Sequence, residues 1–435
     1  MTQLLIVYYR ALHEQWLPTY IHSLKGFRQH SDAECVYLNA AHRHVPECVR
    51  ELNPDLVVFH YTLPLRRQWP DEYAGLVDRL AFLRELDCRK AMIAQDEQVR
   101  MDLLNLFVKD FGITHIFSPA PSATWPLVYR DVDTEKVRIR PILNGYVDEV
   151  TLRRVERRSR VRQERPIDIG YRSWYTQPFY GRHGQLKQQI GKVFKERAPE
   201  YGLVVDIANE YKDALWGDRW FDFLLSCKYT IGVEGGCGVF DWDGSIASYT
   251  LDYVRDNEGA SFEAIEAACF PGADGQFAFH TLSPRHLEAI MTRTCQILVE
   301  GEYGGILKPG RHYIELKKDF SNLDRVLSLV RTDELREGIV ERAYADIVDS
   351  GAYTFRALIE FVLSESLMGL GQIDRTTSLH SKAQLLWHRC TEGLWALYGA
   401  VYRETRRRAR IVISALLGEQ RLLRVMGALR RSAGR

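Results

Sequence analysis

Short, largely apolar runs set between helical stretches constrain this chain more than any other feature. Runs at residues 4–8, 35–38, 55–60, 90–95 and 115–118 read as strands, with helical patterns at 15–28 and 45–52 among them. Strands that are apolar on both faces belong to a parallel sheet covered by helices on both sides. In such sheets ligands bind beyond the carboxyl ends of the strands. His60, Tyr61, Asp96, Glu97, Ser118 and Pro119 stand at those ends. Any one of them also suits an ordinary cap or turn. The pattern then repeats. Strands are expected at 167–172, 202–207, 229–234, 296–299 and 313–316, with helices from Lys187 to about 197, at 220–225 and at 322–331. The expected fold is α/β, with two Rossmann-like domains facing across a cleft, at 1–150 and 165–350. A charged linker at 151–165 joins them. A closing helix lies within 351–370, and a basic helical extension covers 375–435.

The length of 435 residues favours two domains over one core. Charged residues make up 26% and the net charge is +1, so the molecule as a whole has no nucleic-acid footprint. Eight Cys are scattered without a CxxC pair, which fits neither a zinc site nor a disulfide framework and suits a reducing cytosol. Residues 1–10 are expected to be a strand and not a signal peptide, the apolar run being short. No run reaches the roughly 18 apolar residues of a membrane span.

The densest chemistry lies at 280–290, where His280, Arg285, His286 and Glu288 fall within nine residues. Ser283-Pro284 is a helix start, since Ser caps and Pro is tolerated at the first helical position. A first turn there would present backbone N–H groups and Arg285 to an anion. Glu288 would follow one turn later, within reach of a sugar hydroxyl. A surface helix with solvated charges has the same pattern. Gly235, Gly236 and Gly238 make a glycine-rich turn beside Glu234, and such a turn lets backbone approach a phosphate or sugar closely.

From these residues, 165–350 resembles the nucleotide-sugar domain of the two-domain GT-B glycosyltransferases. In the retaining branch of that family, a strand ending in Gly and Arg and a later Lys hold the donor diphosphate. Gly170, Arg172 and Lys187 look like those positions. The family's two Glu, eight residues apart, precede a small-residue turn and a strand. Glu288-Ala289-Ile290 resembles the second, which grips the ribose, and His280 stands where the first would be. The run from Ser283 to Glu288 is similar to a subgroup serving bacterial surface-polysaccharide synthesis. Over 1–150 the resemblance is topological.

Leaving-group chemistry agrees. A departing diphosphate without a metal needs cations and oriented N–H groups. Arg172 suits a bidentate grip, and Lys187 and Arg285 add point charges. The donor-binding set is therefore Gly170, Arg172, Lys187, Gly236, Ser283, Arg285, His286 and Glu288. The catalytic candidates are His280, Asp96, Glu97 and Glu234, with His60 and Tyr61 on the acceptor side. Asp241-Trp242-Asp243 has the form of a metal-binding pair but is equally a plain turn signature, and no metal or cofactor is expected. Glu300-Gly301-Glu302 borders the sugar or is a polar loop.

From Arg375 on there are thirteen Lys and Arg against three Glu, with Trp387, Trp395, Tyr398 and Tyr402 on one helical face. That suits an anionic membrane interface or packing on protein. The expectation is a cytoplasmic, metal-independent glycosyltransferase at the inner membrane face. It would move a sugar from a nucleotide donor to a glycan acceptor, lipid-linked, in polysaccharide biosynthesis. A sugar-nucleotide epimerase and a non-catalytic glycan-binding scaffold are the alternatives.

Overall fold

The computed structural model describes residues 2–369, except 13, 15, 17, 162, 163, 174 and 175, and a few isolated positions between 388 and 405. The first domain is a six-stranded parallel sheet in the order β2-β1-β3-β4-β5-β6. Its strands are β1 (Gln3–Tyr8), β2 (Glu34–Asn39), β3 (Leu56–Phe59), β4 (Arg89–Ile93), β5 (His115–Ser118) and β6 (Arg138–Pro141). The apolar run in β1 is a consequence of burial on both faces. Leu5 and Val7 join the cluster that includes Phe107 and Phe111, whereas Leu4 and Ile6 point to the opposite cluster. A polar residue at any of the four would be stranded in a core. β6 carries two exposed positions in four residues at the sheet's edge, so no apolar run announces it.

The second domain is a five-stranded parallel sheet, β13-β12-β9-β7-β8. It comprises β7 (Ile167–Arg172), β8 (Val205–Ala208), β9 (Cys227–Gly232), β12 (Cys295–Val299) and β13 (Ile314–Leu316). Chain order reverses between β7 and β9, the switch point where such sheets take ligands. Two Rossmann-like domains thus face each other across a cleft. Helix Phe355–Leu367 returns to the first domain, where Phe355, Leu358, Ile359 and Val362 pack against Leu4, Ile6 and Phe27. Thr354 caps it, accepting the Ala357 N–H at 3.2 Å.

Three local expectations change. The charged linker is a helix, Glu149–Val161, with Val155 against Phe221 and Leu225. Arg158 pairs with Asp218 at 2.6 Å and Asp222 at 2.8 Å, so one cationic face of the linker clamps helix Asp218–Leu225. The glycine-rich turn is a short strand, β10 (Gly235–Cys237), antiparallel to β11 (Phe279–Thr281). A Cβ on Gly236 would meet the Phe279 carbonyl oxygen at 1.7 Å, and its φ is +104°. Strand pairing is therefore what requires glycine there. Lys187 sits in the second turn of helix Gly181–Arg197, not at its start.

Residues 239–279 form an insert of two helices, Ser245–Asp256 and Phe262–Cys269, around Val239, Ile265 and Phe270. Among the described residues no helix is long and apolar enough to cross a membrane. The extension at 375–435 falls outside the described residues but for isolated positions. Of these, His388 is buried, with Nε2 2.8 Å from the Tyr37 carbonyl of β2. Tyr398 and Val401 stand exposed.

Candidate active site between the domains

A cavity of about 500 Å³ opens between the two sheets, at the carboxyl ends of β7 and β9. Gln95, Asp96 and Asn144 line it from the first domain, and Tyr180, Lys187 and Arg285 from the second. Val233, Glu234, Gly235 and Gly236 form the floor after β9. Ala120 and Trp125 of one domain meet Cys237, Phe279, Tyr180 and Phe240 of the other in an apolar cluster, and its Tyr180 also lines the cavity.

Lys187 makes no ion pair among the described residues. Burial lowers its pKa, and the neighbouring Arg285 lowers it further; Asp96 acts in the opposite direction. Arg285 opens helix Pro284–Met291, stacks on Trp220 at 5.3 Å and donates to the Arg172 carbonyl. Two cations held side by side in a half-buried cavity make a site for an anion. Arg172 itself is committed elsewhere. Its guanidinium donates to the Asp206 carboxylate at 2.9 Å and to the carbonyls of Tyr171 and Asp206, each at 2.9 Å, over the Phe223 ring. Its backbone, not its charge, positions Arg285. Gly170 lies inside the sheet, where a Cβ would meet Cys227 Sγ at 2.3 Å and Phe223 at 2.8 Å. It admits helix Asp218–Leu225 close to β7.

Ser283 precedes helix Pro284–Met291 without making a side-chain cap hydrogen bond, and it lines the cavity. His286 is buried, with Nε2 3.2 Å from the Val233 carbonyl and Nδ1 3.0 Å from Gln296 Oε1, while the Gln296 Nε2 has no hydrogen-bond partner. Burial drops its pKa to about 4. A neutral ring that donates from Nε2 accepts at Nδ1, so the Gln296 NH₂ is the group that fits there. This histidine ties helix Pro284–Met291 to β12 and to the end of β9.

Glu288 faces an adjoining cavity of about 230 Å³, which Trp216, Trp220, Tyr20 and Tyr61 also line. It accepts the Trp220 indole N–H at 2.7 Å, and burial raises its pKa. A carboxylate among aromatic rings, beside a cationic cavity, offers a hydrogen-bond acceptor and flat apolar faces next to an anion site.

Of the carboxylates considered for catalysis, Asp96 alone presents itself from the first domain into the inter-domain cavity. Burial raises its pKa, while Arg67 and Lys187 pull it down. Its neighbour Glu97 turns the other way and accepts Ser118 Oγ and Tyr129 OH, both at 2.5 Å. Burial holds it up at about 7. Glu234 lines the floor, but its Oε1 accepts the Tyr303 N–H at 2.7 Å, and Gly301 leaves the room its other oxygen occupies. His280 lies behind it, with Nδ1 3.7 Å from Glu234 Oε2 and its ring stacked on His183 at 3.8 Å. It lines a separate cavity of about 530 Å³ together with Lys318. Burial and Lys318 bring its pKa to about 4. His60 is wholly buried between Ser23 and Thr62, while Tyr61 reaches the smaller cavity.

Asp241 accepts the N–H groups of Ile246 and Ala247, and Asp243 that of Ser245, so both carboxylates serve the start of the insert's first helix. Glu300 is tied to Lys317 at 3.0 Å and to the Lys318 N–H at 3.1 Å on the polar loop after β12. Sequence reasoning missed Tyr180, Asn144, Trp216 and Trp220 as lining residues. Tyr180 ends the connection between β7 and helix Gly181–Arg197, and the switch-point rule applied to that connection would have found it.

No protein-family model matches the chain, and no curated protein does. Solved structures with a similar course include Anabaena HepE in complex with UDP-glucose, at 10% identity and a TM-score of 0.46, covering 85% of this chain and all of that one. The DNA-modifying enzyme β-glucosyltransferase aligns at 9% identity and 0.47, covering 84% and 99%. A trehalose-6-phosphate synthase aligns at 9% and 0.44, covering 85% and 100%. Likeness at this level carries no residue roles across.

Proposed function

We propose that this chain is a glycosyltransferase that takes its sugar from a nucleoside diphosphate donor. The observation that carries the reading is Lys187, half-buried beside Arg285 in a cavity that Asp96 enters from the opposite domain. Lys187 and Arg285 take the diphosphate, and the N-terminal turn of helix Pro284–Met291 adds N–H groups. Glu288 accepts from the ribose, with the base among Trp216 and Trp220. The sugar then lies over Gly235 and Gly236, below Asp96. Asp96 removes the proton from an acceptor hydroxyl as that oxygen bonds to the anomeric carbon. The bond from that carbon to the phosphate oxygen breaks, and the charge passes to the two cations. A base on the side opposite the leaving group supports inversion at the anomeric carbon. No divalent cation is needed for these steps.

The test is thermal unfolding with UDP, GDP and ADP in turn, in the presence of EDTA. One of them is expected to raise the melting temperature, since a ligand at 100 times its Kd adds about 2.7 kcal/mol. If none does, or if the shift appears only when Mg or Mn is restored, this donor site is wrong.

For the acceptor, the reading is a lipid-linked glycan met at an anionic membrane, as in surface-polysaccharide synthesis. The basic composition after Arg375 and the exposed Tyr398 and Val401 support it. Full-length protein is expected to sediment with vesicles containing phosphatidylglycerol at low salt, and to release as salt rises. Equal binding to neutral phosphatidylcholine vesicles, or none to either, refutes it.

A further inference from the structure

Asp96 and Arg100 are both left-handed, with φ of +49° and +54°. Neither is glycine, and non-glycine residues keep this conformation only where their surroundings over-determine it. Part of the surroundings is the first domain's own: the buried Arg67 donates to the carbonyls of Asp96 and Val99. The rest comes from the opposite domain. The Asp241 N–H donates to the Gln98 carbonyl at 2.8 Å, the Arg100 N–H to the Asp241 carbonyl at 2.9 Å, and the Asp102 N–H to the Trp242 carbonyl at 3.0 Å. The Arg100 guanidinium donates to the Asp243 carbonyl. The Trp242 ring lies under the Arg130 guanidinium at 3.3 Å and packs, with Phe240, on the first domain's core. Four residues separate Asp241 from Gly236 on the cavity floor. One short segment therefore joins the glycines of the donor side to the backbone that carries Asp96.

We infer that residues 240–243 of the insert position Asp96, with Trp242 and Arg130 as positioning residues for the transfer step. This rests on the transferase reading and adds to it: the second domain holds the first domain's base in register with its own donor. Neither Trp242 nor Arg130 lines the inter-domain cavity. Their loss should let the 96–100 segment relax while the nucleotide contacts stay intact.

The experiment compares full-length Trp242→Ala, Trp242→Phe and Arg130→Met with wild type in UDP, GDP and ADP thermal shifts and in steady-state transfer. Trp242→Ala is expected to lower kcat on the order of 10- to 100-fold, the scale of a misplaced reacting group. Donor KM and nucleotide affinity should stay within about twofold, since the segment contacts neither phosphate nor ribose. Trp242→Phe keeps a ring beneath Arg130 and should recover most of the loss. Should Trp242→Ala fail to fold, Arg130→Met at the half-exposed rim must show the same split on a smaller scale. The proposal falls if kcat is unchanged, if nucleotide affinity drops in step with kcat, or if Phe rescues no better than Ala. A wild type that binds no nucleoside diphosphate overturns the transferase reading instead, and this proposal with it.

Discussion

Replacing Asp96 by Asn is expected to lower kcat roughly 10²- to 10⁴-fold, the usual contribution of a positioned general base. Nucleotide affinity should hold. Asn is the informative substitution because, with Asp, it tolerates the left-handed conformation far better than most residues. The backbone at φ +49° is then kept, and the loss reports basicity alone. The pH profile gives an independent check. Burial lifts the Asp96 carboxyl, and the Arg67 and Lys187 cations only partly oppose it. Tyr20, Tyr180, Cys237 and Glu97 also sense or shape this field, and all four are themselves raised by burial. A raised base is active only above its shifted pKa. The acid limb of kcat should therefore lie above the ordinary carboxylate range and vanish in the Asn variant. A variant with wild-type kcat, or one that keeps the limb, would move the base elsewhere. Glu234 would then be next, as the only other acidic side chain on the cavity floor among the described residues.

Why the sequence foretold the fold so much better than the roles follows from what each depends on. Alternating burial in β1 demands apolar residues at consecutive positions, so the strand is written in the chain. Edge strand β6 makes no such demand and left no mark. The charge-rich stretch after Thr151 read as a linker because its Arg partners, Asp218 and Asp222, lie 60 or more residues away. Arg172 shows the same limit at the site. Its place at the end of β7 was legible, and the cavity does reach it. What its charge pairs with was not, because Asp206 arrives on the neighbouring strand. Glycine likewise has several causes. Gly170 makes room for Phe223, and Gly236 for the Phe279 carbonyl; neither reason is visible without the partner. Asp241 and Asp243 went the other way: the local turn signature was sufficient, since capping involves only residues up to six positions ahead.

Lys187→Met carries the second large expectation. If Lys187 takes the leaving diphosphate, removing its charge should reduce kcat by about 10²- to 10³-fold, the cost of losing one preorganised group at developing charge. The shifts on Lys187 and Asp96 add a signature. Lys187 is one of the two cations that lower the Asp96 pKa, so without it the acid limb of kcat should move to higher pH. Stability should go the opposite way from activity. Burial and Arg285 depress the Lys187 pKa, so at neutral pH its charge is unfavourable to the fold, and this cost grows as pH falls below the unfolded-state value. Methionine keeps the apolar stem and discards the charge, so the melting temperature should hold or rise. Arg172→Ala should behave differently: it leaves Asp206 unpaired and loosens the carbonyl that holds Arg285, so melting temperature and kcat should fall together. If instead Lys187→Met melts early with unchanged kcat, Lys187 is structural, and the diphosphate must be held by Arg285 and the backbone turn behind it.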